Sequence, residues 1–186
     1  MLTEPDGQTL NRVWVSEYGG NDRVQIFDAS LKPLTAFGHF GAPGEDVARP
    51  AQAPPTGDVA FQRPQSMVYD PRSGQVIIAD SVNHRLGFFT KDGAWVRWLG
   101  GNSTPGGSEP PLAAPPPASG QAPPDAPETS SVSGGTLELK HPRGLKLLDD
   151  GTLLVVEFGA ARLTRVDLQT GRAIQSTSSP KATTKR

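Results

Sequence analysis

The feature that most limits what this chain can fold into is a strand-turn-strand element that occurs three times. "RVWVSEYGGNDRVQIFD" (12–28), "QVIIADSVNHRLGFFT" (75–90) and "TLLVVEFGAARLTRVD" (152–167) each pass from an apolar run to an acid, through a short turn to an arginine, and into a second β-type run. The acids are Glu17, Asp80 and Glu157, and the arginines are Arg23, Arg85 and Arg162. Before the second and third copies stand "FQRPQSMVYDPRSG" (61–74) and "LKHPRGLKLLDDG" (139–151), each a proline-led strand closed by a glycine turn. After the three come "LTAFG" (34–38), "AWVRWLG" (94–100) and "RAIQS" (172–176), which read as a last strand. The unit is a four-stranded antiparallel meander, its strands lettered a to d. Glycine (21) and proline (19) punctuate the chain so often that no amphipathic helix of three turns fits between them.

A meander that is apolar on both faces needs a neighbour on each, which is the physical logic of a β-propeller blade. The sequence therefore predicts an all-β fold, a partial β-propeller of about three four-stranded antiparallel blades. Spacing between the repeated arginines exceeds the roughly 40–50 residues of a propeller repeat, so insertions must separate the blades. Two Pro/Ala/Gly-rich tracts supply them. The expected order is an incomplete first blade at 1–40, an insertion at 41–60, a second blade at 61–100, an insertion at 101–136, a third blade at 137–176 and a basic tail at 177–186. With so little apolar content, the tracts are expected to be disordered or polyproline-like. Strands b, c and d account for the whole of the first blade in this reading. Three blades do not close a ring, so further repeats upstream or association of chains is expected to cover the open ends.

The segment "FQRPQSMVYDPRSGQVIIADSVNHRLGFFTKDG" resembles the NHL repeat, which pairs a proline-led strand with Asp-Ser-x-Asn-His-Arg, an aromatic strand and a glycine turn. The resemblance is close over 61–100 and recognisable over 11–38 and 139–175. It departs from the pattern in "EYGGNDR", which has an extra residue before Arg23, and in "EFGAAR", which has neither Asn nor His. The resemblance implies a propeller, most often of six blades.

Antiparallel alternation puts the a–b and c–d turns on one face of the arc, and the b–c turns with the d–a insertions on the other. The first face carries tight turns at Asp6-Gly7, Ser73-Gly74, Asp92-Gly93, Asp150-Gly151 and Thr170-Gly171. The second carries the long and variable connections, where binding surfaces are commonly placed. Recurrence of the acid and arginine in all three copies assigns Glu17, Arg23, Asp80, Arg85, Glu157 and Arg162 to turn architecture. The carboxylate is expected to accept backbone N–H groups of its own turn, the arginine to pair with it or cap a carbonyl of the adjacent strand, and the pair to be exposed and worth at most about 1 kcal/mol. Asn83 is expected to take the left-handed position of the turn, and His84 to lie on exposed surface. Asn83 and His84, with Gln65 and Arg143 at the start of strand a, form the candidate binding set.

Other chemistry finds little support. The absence of cysteine removes thiol catalysis and thiolate metal centres. His39, His84 and His141 are the only histidines and share no local spacing for a metal, so no metal site and no cofactor are assigned. No nucleophile elbow or phosphate-binding glycine loop is present. With 18 basic and 19 acidic residues the net charge is -1, which argues against nucleic acid as the partner. No apolar run approaches the roughly 18 residues of a membrane span, and localisation stays open. The sequence thus favours a non-catalytic scaffold that binds a protein, peptide or glycan. Its rivals are a fragment of a metal-dependent propeller lyase or lactonase, and an RNA-binding NHL propeller.

Overall fold

The computed structural model describes residues 2–3, 10–43, 59–101 and 137–178. Within them the chain is built almost wholly from strands. β1 (Leu2–Thr3), β2 (Leu10–Glu17), β3 (Arg23–Asp28) and β4 (Pro33–Phe37) form the first antiparallel sheet, in that order. β5 (His39–Phe40) and β6 (Ala60–Phe61) pair in parallel. β7 (Pro64–Asp70), β8 (Gln75–Asp80), β9 (Arg85–Thr90) and β10 (Trp95–Gly100) form the second sheet. β11 (Pro142–Leu147), β12 (Leu153–Glu157), β13 (Arg162–Asp167) and β14 (Arg172–Ser178) form the third, with a single 3₁₀ turn at Phe158–Ala160 between β12 and β13. None of the three sheets closes on itself, and together they make a partial propeller.

Alternation along the strands explains the stacking. On β8, Val76 and Ile78 point to the first sheet and join Trp14, Val24, Ile26, Phe37, Phe61 and Phe89 in one core. Ile77 and Ala79 point the other way and join Leu86, Phe88, Leu153, Val155 and Val166 in a second. A strand with a two-residue period has therefore been filled with apolar residues on both sides, because both sides are covered. Phe61 and Phe89 are fully buried, each worth roughly 1.5–3 kcal/mol in apolar burial. Gly87 makes room for Phe89 and Trp98: a Cβ there would lie 2.6 Å from both rings.

Tight turns close the strands at one end. Gly74 (φ 68°) donates to the Asp70 carbonyl at 2.9 Å, and Gly93 (φ 86°) donates to that of Thr90 at 3.0 Å. Both hold a left-handed conformation that costs glycine little.

Two expectations change here. The first sheet is not limited to strands b, c and d, because the two residues of β1 pair with β2 in the place of strand a. The first insertion is anchored at both ends: His39 donates to Val59 and Gly41 to Phe61, each at 2.9 Å, which builds the parallel pair. A connection read from composition alone gives no sign of this pairing. The expectations for 44–58, for 102–136, for the Asp6-Gly7 turn and for the tail beyond Ser178 lie outside the described residues.

Candidate binding face

At the far end from the glycine turns, each b strand ends on its acid and each c strand starts on its arginine, directly opposite. The register pairs Glu17 with Arg23, Asp80 with Arg85, and Glu157 with Arg162. Arginine Nε meets the carboxylate at 3.0, 2.9 and 2.7 Å respectively. The pair is the same in all three blades, but its surroundings are not.

Asp80 and Glu157 take a backbone N–H not from their own turns, where the sequence reading placed it, but from elsewhere in the chain. They reach across to the segment that leads into strand a. Asp80 accepts the Gln62 N–H at 2.7 Å, and Glu157 accepts the Lys140 N–H at 2.7 Å. The arginines hold the same segment from the other side, Arg85 donating to the Ala60 carbonyl at 2.7 Å and Arg162 to that of Glu138 at 2.9 Å. The second and third pairs therefore clip the strand-a approach of their own blades, while Glu17 bonds to Asn21, Arg23 and Gln25. Nor is the middle pair exposed: the Arg85 and Asp80 side chains retain 4% and 0% of their surface. Burial pushes the Asp80 carboxyl up, to about 6, against the opposing pull of Arg85 and the donors from Gln62 and Asn83.

The residue before each arginine is left-handed: Asp22 (φ 46°), His84 (φ 59°) and Ala161 (φ 49°). His84, not Asn83, takes that conformation. Asn83 is buried, and its amide donates to the Gly41 carbonyl at 3.0 Å and to Asp80 at 2.8 Å. His84 is half-buried and not a free surface side chain. Asp22 Oδ1 accepts the Arg63 N–H at 2.7 Å, and His84 Nδ1 accepts the His141 N–H at 3.0 Å. Arg63 and His141 both stand immediately before the proline that opens strand a. One blade's turn thus hydrogen-bonds to the next blade's approach, at the same position in both seams. Ala161 has no acceptor to offer.

Deeper in the seams, Ser16 donates to the Gln65 carbonyl at 3.3 Å, and the Leu145 N–H donates to Ser66 at 3.1 Å. Gln65 and Arg143 follow the strand-a prolines, where register shifts interrupt both ladders. The Arg143 guanidinium lies 3.7 Å from the Phe158 ring centre, and its Nε is buried without a hydrogen-bond partner. Sequence reading overlooked Asp22, Arg63, Lys140 and Phe158 on this face. For Asp22 the signal was present, since it aligns with His84 ahead of the arginine.

Charge on the face is lopsided. Asp22, Asp80 and Glu157 are buried and hydrogen-bonded, and Glu138 is exposed. Arg63 and Lys140, both exposed, and the half-buried Arg143 pair with no carboxylate among the described residues. Among the described residues no three His, Cys, Asp or Glu side chains gather as a metal-ligand set. No helix of the described residues is long and apolar enough to cross a membrane.

Sheets of four antiparallel strands stacked through both faces define the class as a propeller-type repeat protein. Residues 61–89, the strand-a approach through β9, match the NHL repeat. A crystal structure of a protein of unknown function from Bacteroides caccae is similar at 14% identity and a TM-score of 0.47, over 94% of this chain and 43% of that one. This chain therefore spans less than half of that protein's length. No curated protein matches it.

Proposed function

We propose that this chain is a non-catalytic scaffold whose face of b–c turns and strand-a approaches binds another macromolecule, a protein or peptide ahead of a glycan. The observation that supports this most directly is the set of unneutralised cations Arg63, Lys140 and Arg143 beside carboxylates that are spent inside the fold, paired with Arg23 at Glu17 or, at Glu138, outnumbered. The face thereby favours an anionic ligand, a peptide segment with acidic side chains in the first instance. Gln65 and Arg143 stand at the head of successive strands a and His84 in the turn between them, so they would make contacts, while Asn83 would hold the turn from beneath. The acid–arginine pairs would serve the scaffold alone.

Isothermal titration with an acidic peptide library tests this. Tight members should lose at least about tenfold in affinity when Arg63 and Lys140 are both changed to Glu, and weaken with added salt. Absence of binding, or binding indifferent to the charge reversal, removes the proposal. Preferential capture of RNA by the same cations would move the assignment to the RNA-binding reading. A stoichiometric divalent metal in the purified protein would favour the lyase or lactonase reading.

A further inference from the structure

We propose that His84 makes the seam between the second and third blades sensitive to pH in the range where histidine titrates, while the seam between the first and second, closed by Asp22, is not. Both seams use the same bond. A left-handed residue just before the repeated arginine accepts the N–H of the residue just before the next strand-a proline, at 2.7 Å from Arg63 to Asp22 and at 3.0 Å from His141 to His84. A carboxyl group keeps an acceptor oxygen in either protonation state. An imidazole accepts at Nδ1 only when that nitrogen is unprotonated, so the bond to His141 fixes His84 as the neutral tautomer with its proton on Nε2.

The surroundings oppose a charge on this ring. The titratable groups that act on it are His141, whose ring centre lies 4.3 Å away at a steep angle, and Lys140, both from the segment it binds. Asp80 and Arg85, in its own turn, are spent on each other. Burial first, then the charges of His141 and Lys140, hold the His84 pKa below the usual histidine value. The folded state therefore prefers neutral His84. The bond's contribution is complete above the unfolded histidine pKa and is lost as pH falls through the folded one. On protonation, His84 gains a proton where an N–H pointed at it, and the His141 amide loses its acceptor. This weakens one of the holds on 137–141, the approach to the third blade, without touching its counterpart at 59–63.

Amide hydrogen exchange on the full chain tests this with an internal control. Protection of the His141 amide, corrected for intrinsic exchange, should fall severalfold between pH 7.5 and 5.5, by at most about tenfold for each unit by which folding depresses the ring's pKa. Protection of the Arg63 amide should stay level. His84→Asp installs the acceptor that Asp22 already provides in a left-handed position, and should flatten the His141 response. Equal behaviour of the two amides, or a pH response that survives His84→Asp, overturns the proposal. If that variant does not fold, the wild-type ring decides: nitrogen NMR at pH 7.5 should show Nδ1 bare and Nε2 protonated, and the reverse tautomer refutes the bond. Neither measurement depends on any ligand, so failure here leaves the binding proposal standing.

Discussion

The middle blade and its two neighbours share an architecture yet differ in what surrounds it. β8 and β9 are buried on consecutive residues, whereas β12 and β13 alternate buried with half-buried or exposed ones. Only the middle sheet has a sheet on each side among the described residues. The same contrast grades the acid–arginine pair. In the second blade arginine and acid retain 4% and 0% of their side-chain surface, in the third 31% and 0%, in the first 42% and 23%. One sequence element, drawn at one register, thus ranges from a buried ion pair to a surface contact according to its neighbours. The worth of a repeated residue in a solenoid-like array is set by position in the stack as much as by identity.

The sharpest way to break this comparison is to remove the acid from each blade in turn. Asp80→Ala leaves a buried guanidinium without its charge partner and should cost about 3–5 kcal/mol, read as a denaturation midpoint. Glu157→Ala should cost less, and Glu17→Ala least of all. Three equal losses would mean that stacking does not grade the pair. By the same reasoning Arg85→Ala should lower the midpoint more than His84→Ala, since Arg85 holds both Asp80 and the strand-a approach.

Next in size is a pair of equivalent leucines on the faces that point toward a following blade. Leu86 is fully buried between the second and third sheets, and Leu163, its counterpart on the third, is 38% exposed. Leu86→Ala should cost about 2–5 kcal/mol and Leu163→Ala within about 0.5. A large loss at Leu163 would show that its face is covered in solution, and concentration dependence of that loss would identify a second chain as the cover.

Titration sharpens the contrast further, with opposite signs. The Asn21 amide, then Arg23, hold the Glu17 carboxyl below the usual range, so its contribution is present above the ordinary Glu pKa and lost as pH falls. Asp80 is raised to about 6 by burial, so its contribution is complete below the ordinary Asp pKa and is lost as pH rises through about 6. Carbon NMR of the side-chain carboxyls should find Asp80 titrating well above Glu17. Coincident titration would contradict the burial of the middle pair. The smallest effect is expected from deleting residues 103–134, because long surface connections add little closure entropy. Circular dichroism should keep its strand signal, and loss of that signal would mean the tract belongs to the fold.

Strand positions, the alignment of acid with arginine and the sorting of turns onto two faces were legible because each follows from local periodicity and turn chemistry. What could not be read was non-local. That Asp80 bonds to Gln62, or His84 to His141, depends on which segment passes over the turn once the sheets are stacked, and no spacing encodes it. Burial of Arg85 was hidden for the same reason: an arginine after a turn looks solvated until a neighbouring blade and the Trp98 ring, 3.5 Å from its guanidinium carbon, enclose it. The left-handed His84 was masked by an adjacent Asn, the commoner occupant of that conformation.

The parallel pairing of His39–Phe40 with Ala60–Phe61 sets a rule for how this chain can vary. Strands that run the same way cannot be joined by a tight turn, because the path must travel back along the pair before it re-enters. Whatever its sequence, the connection through residues 44–58 has a minimum length and no comparable maximum. Lineages or designers may lengthen it freely there, but shortening it to a hairpin would force one of the two strands to abandon its partner.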